Sequence, residues 1–135
     1  MIKGYRELHV WQKSIDLVDV VFELTATFPT SERYRLTDQI LRAAVSIPAN
    51  IAEGSGRGGT REYIHFINIA KGSLAELETH LIIARRRKYI MEEAFNATME
   101  MLDSIDKMLF RLKQALQRKL TPSSPEHRTL NPEPA

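Results

Sequence analysis

The residues with the types and spacing for chemistry are few. Glu62 and His65 form a Glu-x-x-His, the spacing that di-iron bundles use on one helix face. Such a centre needs a second Glu-x-x-His and two further inward glutamates, and the sequence has no second copy. The pair also falls in the first turn of a helix, where the dipole alone favours a glutamate, so no metal or other cofactor is expected. Glu76 and His80 stand four apart and read as a solvated or interfacial pair. Gly54, Gly56 and Gly59 satisfy G-x-G-x-x-G. A dinucleotide fingerprint needs a preceding strand, and here a helical pattern precedes it. The segment therefore reads as a helix–helix connector, with Gly54 at the C′ position of the preceding helix. A phosphate could still visit the start of the following helix, helped by Arg57 and Arg61. No Gly-Lys-Ser/Thr is present, so Walker-type chemistry is out.

Arg85, Arg86, Arg87 and Lys88 form a basic run. Cations complete a helix C-terminus, but four in a row exceed that need and point around the helix. A phosphate-binding patch and a helix-terminal cap both remain open. Arg118 and Lys119 make a second basic cluster at the end of the last helical segment. Asn50, Glu53 and Ser73 are polar residues close to apolar faces, and buried polar groups must be paired. A network joining the second and third helices is the simplest role for them. No nucleophile stands beside a base, so no catalytic residue is assigned and no enzyme is expected.

Four helical segments must position these residues. The first spans residues 7–27, with Leu8, Trp11, Ile15, Val18 and Phe22 as its inner stripe. Val10, Leu17, Val21 and Leu24 form a second, surplus apolar set, which predicts a homo-oligomer that covers it. Phe28-Pro29 ends this helix. The second starts near Thr37 as cap, with Leu36 stapled onto Leu41, and Ser31 is a rival start. Ile40, Ala44, Ile47 and Ile51 mark its inner face, and Pro48 kinks it without breaking it. The third runs over 60–88 from a Thr60 cap, through Tyr63, Ile67, Ala70, Leu74, Leu77, Leu81 and Ala84. The fourth covers 92–120, through Phe95, Met101, Leu102, Ile105, Leu109, Leu112 and Leu116. Short connections favour an all-α, antiparallel up-down-up-down four-helix bundle over residues 5–120. Residues 121–135 hold four of the six prolines and read as a disordered tail.

The chain has 135 residues, no cysteine and a net charge of +2. That excludes disulfides and thiolate metal sites and points to a reducing, cytoplasmic setting. No apolar run approaches ~20 residues, and the first residues lack a secretory apolar stretch.

The block Ser46-Ile47-Pro48-Ala49-Asn50-Ile51-Ala52-Glu53-Gly54 resembles the signature of bacterial four-helix bundle proteins encoded in intervening sequences of large-subunit rRNA genes. Leu8-His9-Val10-Trp11-Gln12-Lys13 is similar to that family's first helix. Glu62-Tyr63-Ile64-His65-Phe66 and Ile69-Ala70-Lys71-Gly72-Ser73-Leu74-Ala75-Glu76-Leu77-Glu78 are similar to its third. The resemblance spans residues 5–120. Arg35 stands where relatives often carry glycine. It implies a ring-like homopentamer, and no catalytic residue is carried over. A related group, the accessory variability determinants of diversity-generating retroelements, binds nucleic acid beside a reverse transcriptase. The expected function is a non-catalytic, homo-oligomeric binding protein, associated with RNA or DNA through basic bundle ends. Arg57, Arg61, Arg85, Arg86, Arg87, Lys88, Arg118 and Lys119 are the candidate contacts. Ser46, Pro48, Asn50, Glu53, Gly54, Ser73 and Glu76 form the structural signature. The alternative is a scaffold that docks another protein, such as a reverse transcriptase, in grooves between subunits.

Overall fold

The computed structural model describes residues 4–120, so the proline-rich segment 121–135 expected to be disordered lies outside the described residues. Four helices follow in order: α1 (His9–Thr25), α2 (Leu36–Gly56), α3 (Thr60–Arg86) and α4 (Glu92–Leu120). Single 3-10 turns at Gly4–Glu7 and Thr30–Glu32 lead into α1 and α2. Each helix packs on the next and α4 closes on α1, while the diagonal pairs do not meet among the described residues. That pattern is an up-down-up-down four-helix bundle. α2 against α3 is the most extensive contact.

The stripes of α2, α3 and α4 pack as their periodicity predicts. Ile40, Ala44, Ile47 and Ile51 meet Ile67, Leu74, Leu77, Leu81 and Ala84 in one core with Leu102, Ile105 and Leu109. Phe95, Met101 and Leu112 flank it half-buried. Pro48 is buried inside an uninterrupted helix.

The expected inner face of α1 is corrected. Val10, Ser14, Leu17, Val21 and Thr25 are the buried positions, whereas Ile15 and Phe22 of the expected stripe are 36% and 51% exposed. Two hydroxyls disguise the true stripe. Ser14 Oγ donates to the Val10 carbonyl at 2.7 Å and Thr25 Oγ1 to the Val21 carbonyl at 3.0 Å. Each hydroxyl is satisfied by its own helix and enters the core without an unpaired group.

The helix starts are corrected too. α2 begins at Leu36 with Arg35 as its N-cap residue and no side-chain cap. Thr37 therefore sits inside the first turn, and its buried Oγ1 has no hydrogen-bond partner. Leu36 is helical and cannot act as the preceding staple residue. Thr60 is likewise the first helical residue of α3, after Gly59, with no side-chain cap.

Candidate nucleic-acid interface

The signature block sits on α2 where it faces α3. Ser46 Oγ and Ser73 Oγ lie 2.7 Å apart across the two helices. Asn50 Nδ2 donates to the Ser46 carbonyl at 2.8 Å and to Ser46 Oγ at 2.9 Å. The expected α2–α3 network thus exists with Ser46 as its hub. Asn50 reaches Ser73 only through Ser46, and Glu76 and Glu53 stand outside it. Glu76 lies 3.4 Å from His80 Nε2, and Glu53 accepts from Arg57 Nε at 2.9 Å.

Gly54 does not end α2, which continues to Gly56. It is buried, and a β-carbon there would lie 2.9 Å from Phe66 Cβ and 3.0 Å from Tyr63 Cδ1. Its role is close approach of α2 to the start of α3. The left-handed residue after the helix is Gly58, with φ of 84°. Beside this contact, burial raises the Tyr63 phenol above its ordinary value of 10.0, against a lowering hydrogen bond with Ser55. The phenol stays protonated at neutral pH.

The antiparallel order gathers the candidate cations at the two bundle ends. At one end, α3 finishes with Arg85 and Arg86, followed by Arg87 and Lys88, near Arg33 and Arg35 ahead of α2. Arg85 is tied inward: Nη1 donates to the Ile90 carbonyl at 2.8 Å and Nη2 lies 3.9 Å from Glu92. Arg86, Arg87 and Lys88 are exposed. Their backbone closes α3, with Lys88 N–H bonded to the Arg85 carbonyl and Tyr89 N–H to the Ala84 carbonyl, both at 2.9 Å. These two bonds form a Schellman motif with Lys88 in the left-handed position, φ 66°. Tyr89 then anchors the turn, donating its hydroxyl to Glu32 at 2.9 Å and packing its ring on Phe28.

At the other end lie Arg57, Arg61, Arg118 and Lys119. Arg57 is engaged three ways. It bonds Glu53, approaches Glu62 at 4.0 Å, and stacks 5.1 Å above the Phe66 ring. It clasps the loop between α2 and α3. Arg61, Arg118 and Lys119 are exposed.

His65 is exposed and its ring meets Phe66 edge-on at 5.2 Å. No group of three or more potential ligands among the described residues could hold a metal ion. No helix among them is long and apolar enough to cross a membrane. The inward ties of Arg85 and Arg57 escaped the sequence reading. The Glu53–Arg57 and Asp38–Arg42 ion pairs went unread as well, although their spacing of four residues is the signal that could have found them.

No curated protein matches the chain. Among solved structures, it is similar to a protein of unknown function from the S23 ribosomal protein family of Bacteroides thetaiotaomicron. The two share 26% identity and a TM-score of 0.72, over 78% of this chain and 95% of that one. With the same helices in the same order as the resemblance implied, and with the family model for 23S rRNA-intervening sequence proteins matching residues 6–111, the chain belongs to that family.

Proposed function

We propose that this protein is a non-catalytic, homo-oligomeric binding protein that associates with RNA through its basic bundle ends. The observation that carries this reading is the free state of the terminal cations. Arg86, Arg87 and Lys88 at one end, and Arg61, Arg118 and Lys119 at the other, are exposed, while Arg85 and Arg57 hold the fold. Phosphate contacts of this type are independent of sequence and release counterions. Among the described residues, no row of exposed aromatics accompanies the cations: Tyr34, between Arg33 and Arg35, is a single ring, so base stacking contributes little. The family name ties its members to an rRNA gene, which favours RNA as the nucleic acid.

A specific observation also favours a protein-docking role. Between the end of α1 and the start of α2, a groove of about 480 Å³ is lined by Phe22, Phe28, Tyr34 and Leu41. With Ile15 and Val45 also exposed on the same two helices, this side of the bundle suits a second copy or a protein partner.

The test compares two charge-neutral variants for RNA retention. One carries Arg86→Gln, Arg87→Gln and Lys88→Gln, and the other Arg61→Gln, Arg118→Gln and Lys119→Gln. Weaker retention by at least one is expected. Equal retention by both and by the unaltered protein would remove the bundle ends as the interface.

A further inference from the structure

The outward face of α4 carries an order of charge that the ends of the helix do not explain. At helical spacing along this face, Glu93, Glu100 and Asp103 are followed by Lys107, Arg111 and Arg118. All six are exposed. The helix dipole accounts for Glu93 in the first turn and Arg118 in the last. Its effect fades within one turn, whereas Glu100 and Arg111 stand about two turns inside the ends. Within one chain this order is partly unfavourable. Glu100 and Asp103 are like charges three apart, and Lys107 and Arg111 are like charges four apart. Asp103 and Lys107 pair with each other at 3.1 Å. Glu93, Glu100, Arg111 and Arg118 have no ion-pair partner among the described residues.

We propose that this face pairs with the same face of a second copy, the two α4 helices running antiparallel about a two-fold axis. Glu93 and Arg118 are centred on the junction of Ile105 and Asp106, and so are Glu100 and Arg111. Turning one α4 end over end against another therefore sets Glu100 of each copy against Arg111 of the other, and Glu93 against Arg118. These four residues share one flank of the helix, and in an antiparallel pair like flanks meet. Each contact then occurs twice, as a two-fold interface requires. A polyanion would be drawn to one half of the face and repelled by the other, while a second copy complements both halves.

The other flank supplies an apolar contact. Met99 and Phe110 lie on it, centred one residue earlier. Phe110 is 56% exposed. Beside Met99 a groove of about 260 Å³ opens between α3 and α4, lined also by Leu74, Ala75 and Leu102. Two charges on its rim, Lys71 and Asp106, pair with each other at 3.3 Å. The antiparallel register brings Phe110 of the second copy to this groove and takes its ring out of water. The contact is separate from the α1–α2 side and does not rest on it. It engages Arg118 and leaves Arg61 and Lys119 to the RNA surface proposed at that end.

Light scattering on the full chain at low salt tests the pairing. Arg111→Glu with Arg118→Glu makes the four flank positions all acidic, and Glu93→Arg with Glu100→Arg makes them all basic. Each variant should fall to half the mass of the unaltered protein. An equimolar mixture of the two should regain the full mass, because every cross pair is then opposite in charge. Phe110→Ala, at an exposed position that leaves the charges in place, should weaken the pairing by roughly tenfold. An unchanged mass in either reversed variant, a mixture that stays at half mass, or undiminished pairing by Phe110→Ala overturns the proposal. If the basic variant gains RNA while its mass is unchanged, the face belongs to RNA and not to a second copy. If the pairing fails and Phe22→Glu still lowers the mass, assembly through the α1–α2 side stands without it.

Discussion

At Lys88 the backbone is left-handed, with φ of 66°, because the turn after α3 must close its last carbonyls. A β-carbon there costs about 1–2 kcal/mol, offset in part by the ~0.5–1 kcal/mol entropy cost of a glycine. Lys88→Gly is therefore expected to stabilise the protein by roughly 0.5–1 kcal/mol, read as a raised melting temperature. Gly54 behaves in the opposite way. Glycine to alanine inside a helix normally gains up to about 1 kcal/mol, but here the new methyl would crowd Phe66 and Tyr63. Gly54→Ala should lower stability by about 1–3 kcal/mol in denaturant titration, as overpacking does. Asn50→Ala leaves the Ser46–Ser73 pair without its third member. It should cost about 1–3 kcal/mol. An unchanged melting temperature combined with lost ligand binding would move Asn50 from architecture to a functional surface. The residue types in the signature block made such a network legible. Its wiring was not, because the sequence does not say that a serine between two polar neighbours would be the hub.

At the scale of the helices, what periodicity states clearly was read correctly. α4 spans 92–120 in sequence and in structure, and the apolar rhythm through Pro48 signalled an unbroken α2. α1 was harder, since it carries two apolar stripes and the buried one contains Ser14 and Thr25. Hydropathy counts those residues against burial, while their hydroxyls bond back to their own helix. The caps failed for a related reason. Thr60 and Thr37 have the right type but stand one and two residues past the N-cap positions of their helices, and shifts of that size lie beyond what capping preferences resolve. The corrected face of α1 makes a direct comparison possible. Leu17→Ala, at a fully buried position, should cost about 2–5 kcal/mol. Ser14→Ala should stay within about 1 kcal/mol of the unaltered protein, because the carbonyl it releases keeps its helical partner. If Leu17→Ala proves as mild as Ser14→Ala, the inner face of α1 is misassigned.

For the whole molecule, the set Val10, Leu17 and Val21 that predicted an oligomer is instead the core of the bundle. The proposed assembly therefore rests on the exposed Ile15 and Phe22, and the proposed polyanion on the cations at the ends. Ile15, Phe22 and Val45 are exposed apolar residues of α1 and α2, and Phe22 lines the groove between them. Light scattering should give a multiple of the single-chain mass, and Phe22→Glu should shift it toward one chain. A monomer mass for the unaltered protein at micromolar concentration would end the homo-oligomer reading. The formal charge of +2 gave little hint of these ends. They appear when antiparallel packing brings the end of α3 beside the start of α2, and the start of α3 beside the end of α4. The proposed association with RNA through those ends is tested most directly by the dependence of binding on salt. With a labelled RNA duplex, log K against log salt should fall linearly, with a slope near −0.9 for each phosphate neutralised. Neutralising Arg86, Arg87 and Lys88 should make that slope shallower by up to about three. Undetectable binding at low salt, or an affinity indifferent to salt, would contradict the account.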